Sequence, residues 1–332
     1  MVLESIGRGG WVLKRFGDEA TLARARVEAA VLKGMRRYLE DSGYVEVVTP
    51  HITKATGACE NIATLFELDY FGRRAYLTQT GQLYLEVLSQ FLGKVWCTIH
   101  SFRAEPEVDN RHLTEFVLVE LEFLGDFEKL LREIEGTVGA AVKQVLKDAA
   151  GELELLGVDK SYVKKLLPPY ERITYTEAVE ELRDFGVKWG DDLKSVHERA
   201  LVEMHGNRPL FITHYPKAIK FFNMRENPDN PEIVNSADLL LPWSGEAVGA
   251  AEREHHYERL VERLLESPMY RMLVERGGGL EDFDWYLEFW REYDGKLHSG
   301  CGIGAARVVQ SILGLGDIRQ ATAFPMNRAN LF

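Results

Sequence analysis

The distribution of strand-forming segments restricts the fold of this chain more than any other feature. Two long strand-like runs, at 94–103 and 115–124, are joined by a polar loop that contains PEVDNRHL. Strands joined by so short a loop pair in antiparallel fashion, because parallel neighbours need a crossover of a dozen or more residues. The other strand-like segments lack the regular alternation of strand and helix found in doubly wound sheets. The sequence therefore predicts an α+β fold with an antiparallel sheet flanked by helices.

Periodic apolar residues place the other elements. In the first predicted helix Val27, Val31, Met35 and Leu39 recur at four-residue spacing, and Gly43 ends the pattern. Helices are predicted at 21–40, 80–92, 127–148, 175–184, 193–204, 254–265, 281–293 and 304–314. Shorter strands are predicted at 45–48, 65–70, 75–79, 209–213, 233–241, 245–252 and 299–303. No repeat or low-complexity linker divides them, which predicts an N-terminal extension (1–18) followed by one large domain (19–332).

Charge and cysteine content exclude several classes of protein. The 332 residues carry 40 basic and 52 acidic side chains, and a net charge of −12 argues against a general basic surface for nucleic acid. The three cysteines are widely spaced, so we expect no disulfide framework and no cysteine-based zinc site, and a cytoplasmic location. No apolar run reaches the roughly 18 residues of a membrane span, so no membrane partner is expected.

Charged side chains crowd the loop of the predicted hairpin. Arg103, Glu105, Arg111, His112 and Glu115 lie within the sequence SFRAEPEVDNRHLTEF. Arginine suits phosphate oxygens, because its planar guanidinium donates two parallel hydrogen bonds and stays charged. The loop is therefore a candidate phosphate site. The alternative is a solvated loop with surface ion pairs.

Alternating glycines near the C-terminus strengthen the first interpretation. Gly300, Gly302 and Gly304 occupy every second position of a predicted strand, and Arg307 follows in the next helix. Such glycines clear one sheet face, so that a flat ligand can lie against the backbone. The spacing is neither a Rossmann fingerprint nor a Walker A loop.

Together these segments resemble the class II aminoacyl-tRNA synthetases of the aspartyl/asparaginyl subgroup, over about residues 40–326. SGYVEVVTPHITK (42–54), FRAE…RHLTEF (102–116) and GCGIGAAR (300–307) resemble the three class-defining motifs, in order. QTGQLYLE, ERITYTEA, FITHYP and ADLLLPWSGEAVGAAERE resemble features of the subgroup. Leu85, where aspartyl enzymes carry lysine, and the eight-residue step from Asp238 to Glu246 are asparaginyl-like. The resemblance implies a homodimer, with Pro50 at its interface.

The resemblance also implies how ATP is bound. Arg103 would hold the α-phosphate and the reacting carboxylate and stabilise the charge that develops as the adenylate forms. Phe116 and Arg307 would enclose the adenine, with Arg307 also reaching the γ-phosphate. Further nucleotide contacts are implied for Glu105 and for Arg111 or His112.

Carboxylates carry most of the remaining implied roles. Asp238 and Glu246 would bind Mg²⁺, which prefers hard oxygen ligands that can be shared with phosphates; the alternative is two ordinary polar positions at strand edges. The implied amino-acid ligands are Glu60, Gln82 and Glu120 for the amino group, and Arg253 and Glu86 for the end that distinguishes aspartate from asparagine.

Two departures from the family pattern shape the functional hypotheses. Ala306 stands where the family has an acid beside the motif 3 arginine, and Met326 stands where it usually has arginine. Motif 1 begins near residue 42, which leaves no room before it for the family's anticodon-binding OB-fold. We therefore predict an enzyme of asparagine-synthetase type, which activates aspartate with ATP and Mg²⁺, transfers it to ammonia and binds tRNA weakly. The first alternative is an asparaginyl- or aspartyl-tRNA ligase without its own anticodon domain, and the second is a non-catalytic paralogue that acts as a sensor or binds a partner.

Overall fold

The computed structural model describes residues 17–54 and 62–331, and these residues form the predicted α+β architecture. The first 16 residues of the predicted N-terminal extension lie outside the described residues. The strands are β1 (Val45–Glu46), β2 (Ile52–Thr53), β3 (Glu67–Tyr70), β4 (Arg73–Leu77), β5 (Lys94–Phe102), β6 (Glu115–Leu124), β7 (Glu171–Thr174), β8 (Leu210–Thr213), β9 (Glu226–Asn227), β10 (Asn230–Val234), β11 (Ser236–Leu241), β12 (Gly245–Glu252) and β13 (His298–Gly304).

The helices follow most of the predicted apolar periodicities. The α-helices are α1 (Glu19–Asp41), α2 (Gln82–Leu92), α3 (Phe127–Asp148), α4 (Ala150–Leu155), α5 (Lys160–Lys164), α6 (Tyr175–Glu181), α7 (Ser195–Met204), α8 (Tyr257–Glu266), α9 (Pro268–Glu275), α10 (Asp284–Glu292) and α11 (Ala305–Leu313). Short 3₁₀ turns occupy Ile62–Thr64, Arg183–Phe185, Lys217–Ile219, Leu280–Phe283 and Ile318–Gln320. Within the described ranges, no helix combines the length and the apolar character needed to cross a bilayer.

The central sheet has eight strands in the order β1-β5-β6-β13-β12-β11-β8-β7. The predicted hairpin is confirmed, because β5 and β6 pair antiparallel from Lys94 opposite Phe123 to Phe102 opposite Glu115. The sheet is antiparallel throughout its middle, and only the outermost pairs, β1 with β5 and β7 with β8, are parallel. Two small sheets, β2-β4-β3 and β10-β9, lie beside it.

The two faces of the central sheet have different chemistry. On β6, Val119, Leu121 and Phe123 point into the main hydrophobic core, against α1, α3 and α11. The alternate residues, Phe116, Leu118, Glu120 and Glu122, point to the opposite face, since successive side chains of a strand alternate. That face is covered by α2 and by a second apolar cluster built largely from α8, α9 and α10. The polar side chains of β6 therefore lie between the sheet and this cover.

Several element boundaries differ from the prediction for local reasons. The predicted helix at 254–265 begins only at Tyr257, because the Glu254 carboxylate accepts hydrogen bonds from the amides of His255 and His256 and holds these residues outside the helix. The predicted strand at 233–241 is divided at Asn235: its first part pairs with β9 and bridges to Pro216, and its second part forms β11 of the central sheet. Helices α4, α5 and α9 and strand β7 were not predicted, because each is too short to show a clear period.

Candidate active site

Cross-strand pairing aligns the candidate site residues in rows across the sheet face under α2. Asp238 on β11 lies opposite Gly249 on β12, Gly249 lies opposite Gly302 on β13, and Gly302 lies opposite Glu120 on β6. These residues border a cavity that also reaches Arg103, Arg111, Phe116, Arg253 and Arg307. From Phe116 to Glu122 the strand advances six residues, or about 20 Å at the usual rise. The cavity is therefore long enough for a nucleotide and an amino acid placed end to end.

The alternating glycines of β13 serve two different purposes. A Cβ on Gly302 would contact nothing nearer than Glu120 Oε1, at 3.5 Å, so a small side chain could be accommodated at this position. A Cβ on Gly300 would lie 1.8 Å from Glu122 Oε2, so residue 300 must be a glycine to leave room for the Glu122 side chain. The prediction that all three glycines make room for a flat ligand is thus wrong at Gly300, because Glu122 already fills that space.

The end of the β5–β6 hairpin fixes Arg103. Its amide donates a hydrogen bond to the carbonyl of Thr114 (2.9 Å), and its guanidinium carbon lies 5.1 Å from the centroid of the Phe116 ring. Met326 holds Thr114 in turn, because the Thr114 amide donates a hydrogen bond to the carbonyl oxygen of Met326. A cation held over an aromatic ring is positioned before any ligand arrives. Arg103 and Phe116 are therefore a preformed pair at one end of the cavity.

The other predicted nucleotide ligands have partners of their own. Arg111 borders the cavity and donates to Glu198 Oε2 (3.0 Å), an acid that the sequence reasoning did not identify. His112 also borders the cavity, with Nδ1 2.7 Å from Asp109 Oδ2. Glu105 lies two residues after Arg103 and is half-buried.

Arg307 is held without the carboxylate that the family places beside it. Its guanidinium donates to the carbonyl oxygen of Glu246 and borders the cavity. The neighbouring position, Ala306, is 6% exposed and packs in the main core. The loss of that acid therefore leaves Arg307 anchored by the backbone of β12.

A β-bulge brings the two predicted metal ligands to one face. Leu239 pairs with Val248 but Leu240 pairs with Glu246, so Ala247 is the extra residue of β12. Without this bulge Glu246 would point to the opposite face from Asp238, because side chains alternate along a strand. A Cβ on Gly249 would lie 3.3 Å from Glu246 Oε1 and 4.0 Å from Asp238 Oδ1, so the two oxygens converge over this glycine. Two hard carboxylate oxygens above an open backbone fit Mg²⁺.

An unpredicted lysine completes this cluster. Lys220 donates a hydrogen bond to Asp238 Oδ2 (2.7 Å) and lies 3.8 Å from the centroid of the Tyr215 ring. Burial raises the pKa of Asp238 to about 6, with Lys220 opposing the rise and Glu246 adding to it. No sequence motif marks Lys220, which lies in a loop after a 3₁₀ turn.

The start of α2 organises the predicted amino-group ligands. Glu120 is 3% exposed and accepts hydrogen bonds from the Gly81 amide (2.7 Å) and the Thr80 hydroxyl. Burial raises its pKa, and these hydrogen bonds oppose the rise. Gln82 lies beside Glu120 on the cavity wall, and the backbone amide of Gln82 donates a hydrogen bond to Thr80 Oγ1. Glu60, the third predicted ligand of the amino group, lies outside the described residues.

Glu86 lies behind the cavity wall. Its carboxylate accepts hydrogen bonds from Gln82 Nε2 (2.7 Å), Asn223 Nδ2 (2.6 Å) and Tyr286 (2.6 Å). Arg253 borders the cavity, with Nε 3.8 Å from Glu86 Oε1, and it also donates to the carbonyl of Gly300. Burial alone would raise the pKa of Glu86, but the neighbouring His298, Arg253 and Tyr286 together hold it below its usual value.

Glu122 is the cavity residue that sequence reasoning missed at this end. It is 1% exposed, and neither carboxyl oxygen has a hydrogen-bond partner among the described residues. Its nearest charge is Arg253 Nε, 3.5 Å away, and burial raises its pKa far above the usual value. Its position two residues after Glu120 on β6 was the available signal, because such residues share one face of a strand.

Known proteins match both the sequence and the fold. The profile of tRNA synthetases class II (D, K and N) matches residues 14–328. The asparagine–tRNA ligase of Pyrococcus abyssi is 40% identical over 311 residues, which cover 92% of this chain and 69% of the ligase. The crystal structure of asparaginyl-tRNA synthetase from Pyrococcus horikoshii complexed with asparaginyl-adenylate matches with a TM-score of 0.86 and 39% identity, over 94% of this chain and 70% of that one. The structure of Entamoeba histolytica asparaginyl-tRNA synthetase in complex with asparaginyl-adenylate matches with a TM-score of 0.82 and 29% identity, over 98% of this chain and 71% of that one.

Proposed function

Since this chain belongs to the class II tRNA synthetases of the D, K and N group, we propose that it activates asparagine with ATP and transfers it to tRNA. The relatives reported above are named for asparagine and tRNA, and they support the first alternative drawn from the sequence. They give no support to the main prediction, which paired aspartate with ammonia.

The charge balance around Arg253 carries the choice of asparagine. Glu86 and Glu122 lie 3.8 and 3.5 Å from Arg253 Nε, and the lowered pKa of Glu86 keeps that carboxylate ionised. The positive charge of Arg253 is thus balanced within the protein, and a substrate carboxylate would add an uncompensated buried charge. An uncharged amide adds none. Its NH₂ group can donate to Glu122, whose oxygens have no hydrogen-bond donor among the described residues.

The proposed activation step uses the cavity from end to end. The α-carboxylate of asparagine attacks the α-phosphorus of ATP, the bond to the β-phosphate breaks, and asparaginyl-adenylate and pyrophosphate form. Arg103 stabilises the charge on the α-phosphate, because its guanidinium is already positioned over Phe116. Glu120 and Gln82 hold the amino group, while Arg307, with Arg111 or His112 and Glu105, contacts the nucleotide. The terminal hydroxyl of tRNA then attacks the acyl carbon and AMP leaves.

Three further features belong to the proposal. Mg²⁺ would be held by Asp238 and Glu246 and would neutralise phosphate charge. The protein would act as a homodimer through the segment around Pro50. The proposed compartment is the cytoplasm, where cysteines such as the buried and unpaired Cys97 and Cys301 stay reduced.

Two parallel reactions test the transfer step. One contains ATP, Mg²⁺, labelled asparagine and total tRNA from Pyrococcus, and the other contains ATP, Mg²⁺, labelled aspartate and ammonium. We expect label in acid-precipitable RNA in the first reaction only. Periodate-oxidised tRNA, which lacks the terminal diol, is the control and should stay unlabelled. Free asparagine formed from aspartate without RNA would overturn the proposal.

A further inference from the structure

Three consecutive side chains with metal-binding groups meet in the turn between β12 and α8. Glu254, His255 and His256 each offer one ligand atom, and these three atoms lie within 4.8 Å of one another. None of the three residues belongs to those that border the active-site cavity. The cluster is therefore a feature of the molecule that the proposed function does not use.

Backbone contacts fix the position of Glu254. Its amide donates a hydrogen bond to the carbonyl oxygen of Asn223 (2.8 Å), and the residue is fully buried. Its Oε1 atom accepts hydrogen bonds from the amides of His255 and His256 (2.9 and 3.0 Å) and lies 2.8 Å from Nδ1 of His256. The rings of the two histidines lie side by side, with their centroids 4.3 Å apart. The turn thus brings a carboxylate and two imidazoles together before any ion binds.

The second oxygen of Glu254 has no role in this turn. Oε2 is buried and makes no hydrogen bond among the described residues. Its ion pair with Arg259 is long, at 3.7 Å, and the Arg259 side chain is 60% exposed. A buried polar atom without a hydrogen bond costs about 1–3 kcal/mol. The contacts of Oε1 account for the start of α8, so they leave Oε2 available to a ligand that accepts its lone pair.

We propose that Glu254, His255 and His256 form a binding site for a divalent transition metal ion of the Zn²⁺ type. Imidazole and carboxylate ligands suit Zn²⁺, whereas Mg²⁺ prefers oxygen ligands alone. A tetrahedral Zn²⁺ holds its ligand atoms about 3.3 Å apart, and a water molecule completes a set of three protein ligands. The His256 side chain is 56% exposed, so its ring can turn to close the remaining gap and the ion can enter from solvent.

Equilibrium dialysis against Zn²⁺ tests this inference on the full chain, prepared without a histidine tag. A millimolar excess of Mg²⁺ is present, so that sites made of oxygen ligands alone are occupied by Mg²⁺. We expect one Zn²⁺ per wild-type chain. His255→Gln and His256→Gln should each bind Zn²⁺ at least about tenfold more weakly, because each lacks one imidazole ligand.

His205→Gln is the matched control. His205 also lies 3.0 Å from each of two carboxylates, but these contact opposite nitrogens of its ring and cannot share one ion with it. The Zn²⁺ affinity of His205→Gln should therefore stay within about twofold of the wild type.

Glu254→Gln separates metal binding from the start of the helix. Its amide oxygen can still accept hydrogen bonds from the amides of His255 and His256, but it is not an anionic ligand. Zn²⁺ affinity should fall at least about tenfold while the circular dichroism stays that of the wild type.

The largely exposed position of His256 keeps the inference falsifiable if the other two variants do not fold. Wild-type protein that binds no Zn²⁺ would overturn the inference, as would folded His256→Gln that binds Zn²⁺ as tightly as the wild type. Because no asparagine, ATP or tRNA is present, the result does not depend on the proposed function.

Discussion

At the scale of single residues, the proposed discrimination between asparagine and aspartate rests on which carboxylate balances the charge of Arg253. The neighbouring His298, Arg253 and Tyr286 hold the pKa of Glu86 below its usual value, whereas burial raises the pKa of Glu122 well above its usual value. These two acids lie at similar distances from the same guanidinium. Their different environments therefore assign the charge-balancing role to Glu86, although Glu122 is the one that borders the cavity.

Substitution of each acid by its amide separates these roles. Glu86→Gln leaves the charge of Arg253 unbalanced, so the preference for asparagine over aspartate, as a ratio of kcat/KM in adenylate formation, should fall at least about tenfold. Glu122→Gln leaves the Glu86–Arg253 pair in place and retains an acceptor oxygen, so the same ratio should stay within about threefold. Equal effects of the two variants would contradict the assignment.

At the scale of elements, strand β13 offers a matched pair of glycines. A methyl group at residue 300 would overlap Glu122 and approach the carbonyl oxygen of Leu121 within 2.4 Å, whereas one at residue 302 has ordinary contacts. Gly300→Ala should therefore lower the free energy of unfolding by about 1–3 kcal/mol, the usual cost of overpacking. Gly302→Ala should change it by less than about 0.5 kcal/mol. Urea unfolding measures both, and similar losses in the two variants would refute this account of the strand.

The C-terminal end of α7 is joined to β7 and α6 by His205. Its ring nitrogens lie 3.0 Å from Glu171 Oε1 and 3.0 Å from Glu181 Oε2. Burial alone would lower the pKa of His205, but the hydrogen bonds to Glu181 and Glu171 outweigh it and raise the pKa above its usual value. A raised histidine pKa adds stability that is complete below the unfolded value of about 6.5 and is lost as the pH rises through the folded value.

His205→Gln should therefore be less stable than the wild type by about 1–2 kcal/mol at pH 5.5. The difference should shrink at pH values above the folded pKa, and urea unfolding across the pH range measures it. A pH-independent difference at His205 would rule out the charged pairing.

The elements also show how far sequence reasoning could go. The hairpin and the long helices were predictable, because periodicity and turn residues are local properties, whereas the roles of the site residues were inferred mainly from the resemblance to the synthetase family. The β-bulge at Ala247 and the pairing of Lys220 with Asp238 were not, since both depend on contacts between segments far apart in the chain. Glu122 lies between these cases. Its spacing of two residues from Glu120, which puts both side chains on one face of the strand, can be read from the sequence, but its close approach to Gly300 cannot.

At the scale of the whole molecule, the segment after α1 presents apolar side chains to solvent. Val48 is 97% exposed, and Val45 and Ile52 are 46% and 45% exposed, all next to Pro50. Apolar residues grouped in this way favour a two-fold interface. Val48→Asp should therefore give a species with the mass of one chain in sedimentation at micromolar concentration, while the wild type has twice that mass. Val196→Asp, at another exposed valine on α7 that lies outside this segment, should remain dimeric. A monomeric wild type would contradict the proposed dimer.

The activation of asparagine is the central claim for the molecule as a whole, and ATP–pyrophosphate exchange measures it most directly. Wild-type protein is supplied with ATP, Mg²⁺, labelled pyrophosphate and either asparagine or aspartate. Arg103→Ala is the control and should lower exchange about 10²- to 10³-fold, as expected when one charged donor to a transition state is removed. We predict exchange with asparagine at least about 100-fold faster than with aspartate, because a second buried carboxylate would lack a balancing charge. Exchange that requires aspartate, or no exchange with either amino acid, would contradict the account.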